Sequence, residues 1–124
     1  SKMNPNSKTV ITDKDQILAT IKKRRRKRRF RVFHNKGIKC VQCGVEINRI
    51  MFWTDPYGNQ SVDFIHDFSD KSFVFLTVDH IYPLSLGGVR GIENEQPMCS
   101  KCNTLKGNQP QLLSKIVLDK SKKV

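Results

Sequence analysis

The chain has 124 residues, a formal net charge of +12, 37% hydrophobic residues and four cysteines. That length holds one small domain plus an appendage, with a core so small that a staple is expected. No apolar run reaches the length of a bilayer span and no signal peptide is evident, so a membrane-spanning or secreted role is set aside.

Residues 1–11 read as a polar start without regular structure. Thr12 offers an N-cap, with Asp13 and Asp15 in the first turn where the helix dipole favours acids. Ile17, Leu18 and Ile21 then give a short apolar stripe at helical spacing. The helix is expected to run on into Lys22, Lys23, Arg24, Arg25, Arg26, Lys27, Arg28, Arg29 and Arg31, with Phe30 and Phe33 anchoring its far end. Like charges in such a run repel, so phosphates are expected to firm this helix. Nine positive charges in ten residues point to a polyanion, first of all nucleic acid, through counterion release. An anionic membrane surface or a nuclear-import signal would present the same pattern. His34 has no partner motif, and no role is given to it.

Residues 39–44 read as a Cys-x-x-Cys knuckle, with Gly44 supplying the turn. Segments 50–54, 62–68 and 73–78 are rich in β-branched and aromatic residues, and 55–59 (Asp-Pro-Tyr-Gly-Asn) is a turn. A two- or three-stranded antiparallel sheet is therefore expected inside the long insert 46–77. His66 lies on the apolar alternation of the second strand and reads as a packed histidine. The third strand delivers Asp79 and His80 at its exit, followed by a loop over 83–91. Residues 98–106 read as a short helix closed by Gly107. Pro110 then opens a last helix whose Leu112, Leu113, Ile116 and Val117 face the sheet.

All four cysteines fall in pairs, Cys40/Cys43 and Cys99/Cys102, separated by 55 residues. Each pair presents two sulfurs from one tight turn, which suits tetrahedral Zn²⁺ better than two disulfides or four buried thiols. Between and beside the pairs stand Asp79-His80, Asn94 and Asn103. On the 98–106 helix, Cys99 and Cys102 share a face while Asn103 lies about 100° further round, followed three residues on by Lys106. One short helix can thus hold a structural metal with one face and line a second site with the next. Asp79 and Asn103 offer hard oxygens to a divalent ion such as Mg²⁺ or Mn²⁺. A histidine at His80, of a type that ordinarily titrates near neutrality, can take a proton from water. Asn94 can hold the loop so that His80 keeps its aim. Taken singly, each of these residues has an ordinary reading as a cap, a turn or a strand end. Their order inside a double Cys-x-x-Cys frame argues for a site.

Val78-Asp79-His80-Ile81-Tyr82-Pro83-Leu84-Ser85-Leu86-Gly87-Gly88, together with Asn94-Glu95-Gln96-Pro97-Met98-Cys99-Ser100-Lys101-Cys102-Asn103-Thr104-Leu105-Lys106-Gly107, resembles the HNH endonucleases of the zinc-bracketed type. The resemblance covers 40–44 and 78–108. It implies an α+β fold: a small ββα-metal, treble-clef-like domain stapled by a zinc site of four cysteines, to which the charge run, outside the resemblance, adds an N-terminal basic helix or arm. The expected division is a basic segment 1–36, a nuclease domain 37–110 with the insert 46–77, and a C-terminal helix and tail 111–124. The resemblance further implies metal-dependent cleavage of DNA, nicking once per site and leaving 5′-phosphate and 3′-hydroxyl ends. His80 would be the general base, Asn94 the positioning asparagine, Asp79 and Asn103 the ligands of Mg²⁺ or Mn²⁺, and Cys40, Cys43, Cys99 and Cys102 the ligands of structural zinc. Lys106 and the basic residues of 22–31 would grip phosphates of DNA, double-stranded by expectation. A homodimer or partner protein would be needed to cut both strands, and the expected setting is the cytoplasm of a bacterial or phage-infected host. Asparagine at 103 stands where many members carry histidine, and Glu95 takes a place that is usually aliphatic. The cysteines and basic run alone would also suit a non-catalytic zinc-dependent nucleic-acid-binding module. A thiol oxidoreductase is a weaker third reading, requiring labile thiols without zinc.

Overall fold

The computed structural model describes residues 6–110. Five strands form one antiparallel sheet in chain order: β1 (Ser7–Ile11), β2 (Arg49–Thr54), β3 (Gln60–Asp67), β4 (Phe73–His80) and β5 (Glu95–Cys99). Helices α1 (Lys14–Lys23) and α2 (Arg28–Lys36) separate β1 from β2, and α3 (Ser100–Lys106) follows β5 directly. The architecture is therefore small α+β, as expected. The insert 46–77 does more than fill a gap, because β2, β3 and most of β4 are the middle of the sheet. No helix among the described residues is long and apolar enough to cross a membrane. The expected helix of 111–124 lies outside the described residues.

Two strands depart from the sequence reading. Residues 7–11 form β1 rather than an irregular start, with Ile11 opposite Ile50 and Ser7 opposite Thr54 on β2. This edge strand is almost wholly exposed, so it needs no apolar alternation and left none to read. Residues 95–99 form β5, all five of them buried, where the expected helix was to begin at 98. The helix starts only at Ser100.

The basic segment also differs from an extended helix or arm. Asp13, not Thr12, caps α1: its carboxylate accepts the Gln16 N–H at 3.0 Å. Ile17 and Ile21 are buried, while Leu18 stays 44% exposed. At 3.6 residues per turn, Phe30 would lie about 220° around one unbroken helix from Ile17. A single helix cannot bury both, so the chain turns through 24–27 and restarts as α2. Phe30 and Phe33 then meet Phe64 edge-on, with ring centroids 5.0 and 4.7 Å away. These side chains join Ile50, Leu76, Met98 and Cys99 in one core, so the basic segment packs on the sheet instead of standing apart from it. Arg28 and Glu95, at the α2 and β5 ends of this packing, form an ion pair whose Glu95 member is 2% exposed.

Candidate active site and cysteine cluster

The first cysteine pair sits on a knuckle closed by the Lys39–Glu46 bridge and by Cys40 N–H donating to Val45 O at 2.9 Å. Gly44 takes φ +81° there, a conformation that side chains resist. Val41 N–H donates to Pro97 O at 3.0 Å, which ties the knuckle to β5. Cys99 ends β5 and Cys102 lies in the first turn of α3, so the strand-to-helix junction aims both sulfurs at the knuckle. All four cysteines are free, and their Sγ atoms lie within 4.8 Å of one another. Cys43 and Cys99 Sγ are 3.8 Å apart, the edge of a tetrahedron with metal–sulfur bonds of about 2.3 Å. Cys43 N–H points to Cys40 Sγ at 3.5 Å and Cys102 N–H to Cys99 Sγ at 3.4 Å. Burial pushes the Cys40 thiol up, but the backbone N–H groups of Cys99, Cys43 and Gln42 outweigh it and bring it to about 7. Burial holds Cys43 above its ordinary value, and burial followed by the neighbouring sulfurs does the same to Cys102. Four sulfurs within this distance of one another suit a shared cation, and the donor set fits zinc.

On the other flank of α3, the end of β4 opens onto a cleft of about 350 Å³ lined by Asp79, His80, Pro83, Ser85, Asn103, Lys106 and neighbours. Asp79 is 6% exposed; Gln96 Nε2 donates to its Oδ2 at 3.0 Å and Lys106 Nζ to its Oδ1 at 3.3 Å. Asn103 Nδ2 donates to Thr77 Oγ1 at 2.9 Å, and Thr77 Oγ1 donates to Met98 O at 2.7 Å. Because the threonine proton goes to the carbonyl, its oxygen must accept from Asn103, which fixes the amide and turns its oxygen to other partners. Asp79 and Asn103, residues with hard oxygen donors, thus line one cleft from two elements. Among the described residues only the cysteines form a cluster of three or more His, Cys, Asp or Glu side chains able to hold a metal. An ion in this cleft would take few protein ligands, as Mg²⁺ commonly does.

Asn94 does not line the cleft. It is 8% exposed, accepts Tyr82 N–H on Oδ1 at 2.8 Å, and donates from Nδ2 to Tyr82 O at 3.0 Å and Val89 O at 2.7 Å. It closes the 81–94 loop on itself. Its amide can therefore act on His80 only through that backbone. Lys106, expected on phosphates, is instead nearly buried, and Nζ also donates to His80 O at 2.9 Å. An ammonium with these partners serves Asp79 and the strand end.

The basic run is dispersed by the turn between α1 and α2. Lys22 and Lys23 close α1, and Arg25, Arg26 and Arg31 are exposed. Arg24, Lys27, Arg28 and Arg29 line a second cleft with Phe52, Gln60 and Val62. Arg24 lies over the Phe52 ring at 4.7 Å. Arg29 lies over Phe64 at 5.2 Å, donates to Val62 O at 3.0 Å, and is held below its ordinary value by burial despite Asp63 nearby. Arg28 reaches His80, with Nη2 to Nε2 at 3.3 Å, while its Nε donates to Glu95 Oε2 at 2.6 Å. His66 is packed against Phe68 with ring centroids 4.5 Å apart and contacts Glu46 O through Nδ1.

Sequence reasoning passed over Thr77, Gln96 and the Arg28–Glu95 pair. Gln96 was visible inside the quoted motif, and an acidic residue at 95 beside a buried methionine and cysteine was a signal for a buried partner.

Residues 40–109, more than half of the chain, match the family model described as HNH endonuclease, and the chain belongs to that family. Searches of curated proteins and of solved structures returned no match. Membership carries a nuclease or nucleic-acid-directed function, with DNA as the implied substrate.

Proposed function

We propose that the chain is a metal-dependent endonuclease that hydrolyses DNA phosphodiester bonds, one strand per site, leaving 5′-phosphate and 3′-hydroxyl ends. The observation behind this reading is the single cleft shared by Asp79, His80 and Asn103, one helix face away from the cysteine cluster. In this reading β4, β5 and α3 are the two strands and helix of a ββα-metal unit within the nuclease domain 37–110.

His80 is the general base: its ring takes the proton of the attacking water, an effect worth typically ~10²–10⁴ in rate. Asp79 and Asn103 would hold Mg²⁺ or Mn²⁺, which would supply positive charge for the phosphate's transition state. Lys106 keeps the Asp79 carboxylate and the His80 carbonyl in fixed relation. Asn94 is a positioning residue that holds the loop after His80. Zinc at Cys40, Cys43, Cys99 and Cys102 takes no part in the chemistry; it fixes α3 against β5 and the knuckle. Lys22, Lys23, Arg24, Arg25, Arg26, Lys27, Arg29 and Arg31 engage backbone phosphates without reading bases. A monomer therefore nicks, and double-strand cleavage takes a second copy or a partner.

A second reading draws on the pairing of Asp79 with Lys106 and Gln96, and of His80 with Arg28. Groups already satisfied inside the protein suit a zinc-stapled DNA-binding module without activity. Relaxation of supercoiled plasmid in Mg²⁺ or Mn²⁺ separates the two. The nuclease reading expects nicked circles that DNA ligase reseals, since resealing needs the stated ends. Tight plasmid binding with no relaxation in either metal favours the binding module.

A further inference from the structure

The Arg28–Glu95–His80 contact gives one arginine of the basic run a different task from the others. Glu95 is 2% exposed and stands directly opposite His80 in the β4–β5 ladder. It grips Nε of Arg28 at 2.6 Å, while the Arg28 side chain remains 47% exposed. The guanidinium is thus anchored at Nε by a buried carboxylate, while nearly half of the side chain is open to solvent and its Nη2 touches His80, which lines the cleft. A guanidinium has donors and no acceptor, so its 3.3 Å approach to His80 Nε2 is a hydrogen bond only onto a lone pair there. The neutral ring has one such lone pair, and in the resting protein Arg28 covers it.

We infer that Arg28 is a catalytic residue of this site, pivoting on Glu95 from His80 Nε2 to the scissile phosphate when DNA binds. The inference rests on the nuclease reading above. A phosphate oxygen is a charged acceptor and outcompetes a neutral imidazole for an arginine donor. The water that His80 activates must stand between its ring and phosphorus, so the phosphate it attacks lies within reach of a group already touching that ring. The same movement uncovers the lone pair that takes the proton and brings positive charge to the phosphate. In the step itself the water oxygen bonds to phosphorus and the water proton passes to His80 Nε2. The bond from phosphorus to the 3′ oxygen breaks, and that oxygen takes a proton from solvent. Arg28 stabilises the charge that builds on the non-bridging oxygens.

The test is nicking of supercoiled plasmid with Mg²⁺ or Mn²⁺ under protein excess, read as the rate at saturation and the half-saturating concentration. Arg28→Lys keeps a charge beside Glu95 but cannot serve Glu95 and phosphate with one rigid fork. Its saturated rate should fall about 10²-fold, with the half-saturating concentration within about threefold of the parent. Arg28→Ala should regain part of its rate when guanidinium ion is added at millimolar concentration, which a purely structural arginine would not show. Melting temperatures are taken alongside. If Arg28→Lys does not fold, the double change Arg28→Gln with Glu95→Gln replaces the ion pair by a neutral pair and must show the same loss. A parent that nicks beside an Arg28 variant of parental saturated rate overturns this inference alone. A parent that nicks nothing removes the nuclease reading, and this inference with it.

Discussion

The two flanks of α3 hold their functional groups by opposite means. On one flank four identical ligands converge within 4.8 Å, a spacing and donor set that suit one shared metal ion. On the other flank unlike groups are each steadied by the protein's own side chains: Asp79 accepts from Lys106 and Gln96, Arg28 approaches His80, and Asn103 donates to Thr77. The cluster is built to hold one thing permanently. The cleft is ordered by the protein's own contacts and can share those partners with whatever enters.

If that contrast is right, the largest effect comes from breaking the cluster. Cys99→Ser, or stripping zinc with a strong chelator, should abolish cooperative thermal unfolding near the parent's melting temperature, since structural zinc carries on the order of 10 kcal/mol in small domains. Circular dichroism melts with zinc content measured in parallel would show it; a chelated protein that still melts like the parent would remove the cluster's stapling role. Next in size is His80→Ala, expected to lower nicking by about 10²–10⁴-fold while shifting the melting temperature little, because His80 lies at a strand end and not in the core.

Asn94→Ala tests the link between loop and cleft. It deletes three hydrogen bonds and leaves Tyr82 backbone groups short of partners, for about 2–3 kcal/mol of stability by denaturant titration. The nicking rate should fall as well. A stable Asn94→Ala protein cutting at full rate would mean the loop does not aim His80. The smallest effects belong to the exposed cations. Arg25→Gln and Arg26→Gln should each lower the slope of log affinity against log salt by about 1, without changing which sequences bind. An unchanged slope would take these residues out of the DNA interface.

The same contrast explains what was legible in the sequence. The cysteine pairs were readable because each is a local device: two ligands, one turn, and a spacing imposed by the metal. Strands β2, β3 and β4 were readable from their β-branched and aromatic residues, and α1 from Ile17 and Ile21. The polar edge strand β1 was not, because an exposed edge needs no pattern. Strand β5 was missed because Glu95-Gln96-Pro97 has the composition of a loop; its burial depends on Arg28 and Asp79, which arrive from elsewhere in the chain. The break at 24–27 lies inside a run of cations that carries no turn residue at all. It is imposed by the need to bury Ile17 and Phe30 on one sheet, a tertiary demand that overrides local sequence. In the cleft, Asp79, His80 and Asn103 could be named from order and residue type. Lys106 and Arg28 were named only as phosphate contacts and Thr77 only as a strand residue; their contacts with Asp79, His80 and Asn103 exist only once α2, β4 and α3 are assembled.

The most direct measurement sets the zinc-loaded parent beside zinc-loaded His80→Ala on supercoiled plasmid in Mg²⁺ and in Mn²⁺, with binding read in the same samples. Equal zinc content, closely similar binding, and nicked circles from the parent alone are the expected result. Equal nicking by both proteins would contradict it, because the cleft at the end of β4 would then not be where DNA is cut.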